Sequence, residues 1–282
     1  GPRMNNPWIA AVSALFLWWF STGVILWRVK RADQEGRDAH LWSVILGLPL
    51  LLGGFVAMRH TLADDSATGA FIAFVAALSI WGWLELAFLS GIVAGPNTRS
   101  CPPYAPLWER FIRAVGTILW HELALMGTLG ILAVISQGAP NRFTLWTFAI
   151  LFFARISAKL NLFFGVPRIH TEFLPQPLAH LSSHFRRAPM NAFFPLSITA
   201  LSFASACFLE RLWAAQTDGH IIGFTLLSAL TLLALLEHWF MVVPLPDQKL
   251  WRWMLPAPRP DHLTKATQTG IARPDQPLTV RK

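Results

Sequence analysis

Apolar residues fall along this chain in seven long runs, broken by short segments rich in Gly, Pro, Asn, Asp and basic residues. The runs cover roughly 8–27, 41–58, 67–94, 114–136, 143–166, 190–213 and 221–243. A helix needs about 20 apolar residues to cross the hydrocarbon core of a bilayer. The pattern therefore predicts an all-α, polytopic membrane protein with about seven transmembrane helices. The breaks carry the expected punctuation, among them RVKRADQEGRDAH, GPNTRSCPPYAPLWERFIR and SQGAPNR. No soluble domain interrupts the runs and no internal repeat stands out, so residues 8–255 read as one seven-helix domain. Gly1-Pro2-Arg3 ahead of Met4 resembles a protease-cleavage scar, making 1–7 a short leading tail. The first run is too long, and lacks the small-residue cleavage site, for a removable signal peptide. Residues 256–282, rich in Pro, Thr and charge, read as a flexible tail.

Composition agrees. The chain is 54% hydrophobic and only 13% charged, against roughly 25% charged in soluble domains. The formal charge of +8 does not signal nucleic acid, because the basic residues sit between the apolar runs. Seventeen of the 23 Lys and Arg lie in the first, third and fifth connections and the C-terminal tail. The positive-inside rule then places the N-terminus outside and the C-terminus in the cytoplasm. Cys101 and Cys207 form neither a disulfide framework nor a CxxC metal motif.

Charges inside the runs are the candidate chemistry, since ionisable groups in a membrane are costly and default to functional hypotheses. They are Glu85, His121, Glu122, Arg155, Lys159, Glu237 and His238. At about 1.5 Å rise per residue, all seven fall on the order of 10–17 Å from the cytoplasmic ends of their runs. Arg155 and Lys159 share a helix face, and Asn161 adds a polar group beside them. The strings WGWLE, WHE and EHW set a Trp near each acid. Trp81, Trp83 and Trp120 are too deep for an interfacial belt. A ligand-binding set of Trp81, Glu85, Trp120, His121, Glu122, Arg155, Lys159, Asn161, Glu237 and His238 follows, suited to a tetrapyrrole or quinone. The same layer admits two other readings. One is a buried ion-pair network that clamps the helices. The other is an iron or zinc site drawn from Glu85, His121, Glu122, Glu237 and His238. Adjacent His-Glu and Glu-His side chains diverge by about 100° on a helix, so at most one of each pair can face a shared centre.

Two motifs dissolve on inspection. HELAL (121–125) opens like a zinc-protease signature, but Leu125 stands where the second His is required. In the connection 167–189, His180 and His184 have metal-ligand spacing. That stretch reads better as an amphipathic interfacial helix, with Leu178, Leu181 and Phe185 toward lipid and Arg186 and Arg187 toward head groups. PLPDQKLWRWML reads similarly, with Trp251, Trp253 and Leu255 dipping into the interface while Lys249 and Arg252 reach phosphates.

Several strings also carry a family likeness. LFLWWFSTGVILW, WGWLELAFLSGIVAGP, WHELAL, GAPNRFTLWTF, RISAKLNLFFGV, FRRAPMNAFFP and LEHWFMVVPLPDQKLWRWML resemble, in order and over roughly Trp8–Leu255, the PuhE family of photosynthetic complex assembly proteins of purple phototrophic bacteria. The resemblance implies a multi-pass protein of the bacterial inner (intracytoplasmic) membrane. It also implies a role in assembling reaction centre and light-harvesting subunits, with links to bacteriochlorophyll production. It brings no catalytic residues. The expected function is an assembly factor that handles bacteriochlorophyll, a precursor or a quinone in a polar pocket of the cytoplasmic half. Its partners would be the lipid bilayer, photosynthetic subunits or pigment-synthesis proteins, not nucleic acid. The alternative is a membrane metalloenzyme of di-iron or zinc type acting on a tetrapyrrole or isoprenoid lipid.

Overall fold

A computed structural model describes residues 6–244, 249 and 252–255. Residues 1–3, Trp251 and the tail 256–282 lie outside the described residues. The helices are α1 (Pro7–Glu35), α2 (Arg37–Leu46), α3 (Leu48–Thr61), α4 (Ala67–Leu89), α5 (Leu107–Ile135), α6 (Phe143–Phe164), α7 (Phe193–Trp213) and α8 (Asp218–Phe240). Seven of the resulting segments are long and apolar enough to cross a membrane, with α2 and α3 together making one. The chain is a multi-pass membrane protein.

The second apolar run predicted a single helix, and it breaks at Gly47. Pro49 lacks an N–H, so the turn containing it cannot continue the ladder of α2. Gly47 itself has a helical backbone, at φ −81° and ψ −10°. Start signals hold elsewhere. Asn6 accepts a hydrogen bond from the Trp8 N–H, Ser66 from that of Gly69 and Thr217 from that of His220, each satisfying a donor that the first turn leaves open.

Helices α4 and α8 form the centre. α4 is the most buried, and packs on α1, α3, α6 and α8. Its buried Ala70, Ala73, Ala76 and Ala77 let backbones approach closely, the main source of packing energy where solvent and side chains are equally apolar. α5 stands at the edge against α6. It begins at Leu107, seven residues before the run suggested, because Glu109 and Arg113 pair at 2.8 Å across one turn.

The 165–192 connection is a folded strap rather than an interfacial α-helix. Pro175 and Pro177 restrict it to 3-10 turns at Thr171–Phe173 and Gln176–His184. Leu178 and Leu181 do not face lipid: they are buried on Phe88 of α4. Hydrogen bonds to neighbouring segments hold the strap. Lys30 Nζ donates to the Leu174 carbonyl at 2.7 Å, and the Gln176 N–H donates to Asp33 Oδ2 at 3.1 Å. Ser183 Oγ accepts from the Cys101 N–H at 2.8 Å, and Arg168 reaches the Phe240 and Val243 carbonyls. Two glycines permit the fit. Gly91 sits at φ +74° with Pro177 so close that a Cβ would lie 2.5 Å from the ring, and Gly165 at φ +127° turns the chain out of α6. The connections on this side carry most of the basic residues, and it is called the basic end below.

Candidate functional site

Seven membrane charges meet near the basic end, but they sort into three groups. His121 and Glu122 are neighbours on α5 and point to different helices. His121 is fully buried, its ring stacked on Phe88 at 4.1 Å, its Nε2 3.3 Å from Glu85 Oε1 on α4. Glu122 turns toward α6 and takes Lys159 Nζ at 2.5 Å. Lys159 also lies 5.6 Å from the Phe88 ring centre, so that ring is flanked by an imidazole and a cation. Phe88 had not been singled out from sequence. The available signal was its spacing of three from Glu85, which puts both on one face.

The second group is a polar network among α6, α7 and α8. His238 Nδ1 is 2.7 Å from the Ala234 carbonyl, which can only accept, so Nδ1 carries the proton. Nε2 is left to accept from the Ser157 hydroxyl at 2.8 Å. Ser157 and Ser197 Oγ are 2.7 Å apart. Asn161 Nδ2 donates to Ser197 Oγ and the Ser157 carbonyl, while its Oδ1 accepts from Asn191. Asn161 and His238 therefore fasten helices and line neither cavity described below.

Arg155 and Glu237 make the third group, around two cavities that share a wall. The larger, of about 450 Å³, lies between α4, α5 and α6 under the strap. Phe111, Ile118, Phe163, Leu178 and Phe185 give it apolar sides, and Glu85, Glu122, Arg155 and Lys159 gather in its lining. Val115 and Met126, both exposed on α5, border it, so it opens sideways between α5 and α6. The smaller, of about 140 Å³, lies between α1, α4, α6 and α8, with Ser21, Thr22, Trp81, Glu85, Arg155 and Glu237 in its lining. Glu85 and Arg155 line both. Among the described residues no carboxylate lies within ion-pair distance of Arg155. Trp81 is 8% exposed and meets Phe148 edge-on at 5.3 Å. The Ser21 and Thr22 hydroxyls were readable as polar breaks in the first run, yet nothing marked which way they faced.

Two further expectations change. Trp120 is 51% exposed on the outer side of α5 and lines neither cavity, because it is one helix step from His121 in the outward direction. The five proposed metal ligands do not converge: among the described residues, no three His, Cys, Asp or Glu side chains are placed to hold one ion. His180 and His184 do not pair either. The 3-10 turn places His184 Nδ1 3.1 Å from the His180 carbonyl. Burial pushes both imidazoles below their ordinary value, and the Arg110 and Arg113 charges add to this at His184.

Residues 4–262 match the family described as "Protein of unknown function (DUF3623)". The chain is also 64% identical over 254 residues to the "Uncharacterized 30.4 kDa protein in puhA 5'region" of Rhodobacter capsulatus, covering 90% of this chain and 93% of that protein. No solved structure matches. A family match over nearly the whole chain, with a relative this similar, shows that the chain belongs to the DUF3623 family.

Proposed function

We propose that this protein is a bacterial inner-membrane factor for assembling photosynthetic complexes, and that it takes bacteriochlorophyll, a precursor or a quinone into the larger cavity. One observation carries the ligand reading: a 450 Å³ chamber, apolar on its sides, with two carboxylates and two cations in its lining and an opening toward lipid. Cavities of about 300–1,000 Å³ with a few convergent polar groups are the usual form of small-molecule sites. The photosynthetic reading is supported by the relative encoded in the puhA 5' region and by the likeness to PuhE proteins. The excess of basic residues supports placing the basic end in the cytoplasm, with reaction centre and light-harvesting subunits or pigment-synthesis proteins as partners.

The geometry narrows how a pigment would sit. Both nitrogens of His238 are engaged, and His121 is fully buried behind the Phe88 ring. Neither imidazole is open to the larger cavity as an axial ligand for magnesium. A ligand would be held by its hydrocarbon surface and by contacts to Arg155, with the buried imidazole of His184 also in the lining.

The test is extraction of the protein purified from a phototrophic bacterium. The expected result is near-stoichiometric quinone or tetrapyrrole, lost in an Ala114→Phe variant, whose new ring would occupy the chamber. Wild-type protein that carries neither would refute the ligand reading.

A further inference from the structure

The larger cavity has a charge pattern that specifies the head group of its occupant. Building on the reading of that cavity as a ligand site, we propose that it selects an uncharged hydrogen-bond acceptor, a quinone or ester carbonyl on a hydrocarbon tail, and discriminates against a free carboxylate or phosphate.

Three of the four charged groups in the chamber have an ammonium, carboxylate or imidazole neighbour within 3.3 Å. Lys159 and Glu122 hold each other at 2.5 Å, and Glu85 faces His121 at 3.3 Å. Arg155 is the exception. Its guanidinium carries five N–H donors and no acceptor, it borders both cavities, and no carboxylate among the described residues is within ion-pair distance. An occupant must therefore offer an acceptor.

Whether that acceptor is charged follows from the whole layer. Glu85, Glu122 and Glu237 are three carboxylates against Arg155 and Lys159, so the layer carries one negative charge in excess when its imidazoles are neutral. Uptake of one proton brings it only to neutrality. An entering anion would pair with Arg155 but face Glu85 across the same wall and Glu122 nearby, in surroundings where charges act strongly on one another. A neutral carbonyl accepts from Arg155 without that repulsion, and hydrogen bonds to charged donors are the stronger kind. The apolar sides under Leu178 and the gap between α5 and α6 leave room for a tail that enters from the bilayer.

The experiment uses the full chain in phosphatidylcholine nanodiscs. Bound decylubiquinone is displaced by palmitate or by methyl palmitate, with concentrations expressed per lipid so that partitioning cancels. The two competitors share a tail and a carbonyl and differ by one charge. Methyl palmitate is expected to displace at about one-tenth the concentration of palmitate or less, corresponding to one like-charge contact at partial screening. Arg155→Gln should weaken decylubiquinone binding. Glu85→Gln, which removes the facing charge while keeping shape, should raise the potency of palmitate relative to methyl palmitate. Equal potency of the two competitors, including no displacement by either, overturns the inference, as does a preference for palmitate. Retention of the full preference in Glu85→Gln overturns its electrostatic origin. If decylubiquinone itself does not bind and extraction yields no ligand, the cavity reading falls as well. If it binds and the charge preference is absent, only the inference falls.

Discussion

The Glu122–Lys159 pair offers the sharpest energetic test, because it joins the edge helix α5 to α6 by a direct ion pair. Their side chains are 16% and 24% exposed and 2.5 Å apart. A pair 4 Å apart at an effective dielectric near 20 gains about 4 kcal/mol in Coulomb energy. Desolvation and lost side-chain freedom take back part of that. A coupling of about 2–3 kcal/mol should remain. Lys159→Met strands the Glu122 carboxylate, whose Oε2 is already buried without a partner, and also removes the cation beside Phe88, worth about 0.5–1 kcal/mol. It should cost about 3 kcal/mol. Glu122→Gln keeps an acceptor for the ammonium and should cost about 2 kcal/mol. The double variant should lose no more than about 3 kcal/mol, since neither charge is then stranded. Equilibrium unfolding in SDS, followed by tryptophan emission, measures all three. Additive losses in the double variant would show that the two groups do not stabilise one another, and the short contact would then be incidental.

Three further outcomes are expected. Gly91→Ala must hold φ +74° at about 1–2 kcal/mol and drive a Cβ against Pro177. Hydrogen exchange should therefore rise across 171–185 while α8 stays protected, and unchanged exchange in the strap would contradict its docking. His184 is buried, with its folded-state pKa lowered by that burial first and by its cationic neighbours after it. The folded strap thus binds fewer protons than the detached one, so its docking is at full strength above the ordinary imidazole value of about 6.5 and weakens as pH falls below it. His184→Leu should reduce that dependence, leaving the part due to the likewise lowered His180, read by hydrogen exchange or proteolysis of the strap between about pH 7.5 and 5. Ser157→Ala leaves His238 Nε2 and its network short of a partner and should cost about 1–3 kcal/mol in the same SDS assay. A loss below about half a kcal/mol would mean the network is not a fastening.

What the sequence revealed and what it hid divide along one physical line. Hydropathy and helical rise report position along the membrane normal. The seven spans emerge, and Glu85, His121, Glu122 and Lys159 meet in pairs across helices. The direction each side chain faces around its helix depends on which neighbour packs where, and periodicity carries little of that when a helix is apolar all round. Nearness in sequence to the charged residues places Trp120 and Asn161 in the predicted set, and neither lines a cavity. The adjacency of His121 and Glu122 did contain directional information. Two neighbours about 100° apart cannot share a centre, and here that divergence sends one to α4 and the other to α6. The same divergence on α8 sends Glu237 to the smaller cavity and His238 to the α6–α7 network. Adjacent charges in such a helix are thus better read as links to two different partners than as halves of one site. That reading disfavours a metal centre and favours a divided polar layer. Glu85 and Arg155 line both sides of the division, and a ligand reaching the layer from the larger cavity would meet these two groups before anything on α8.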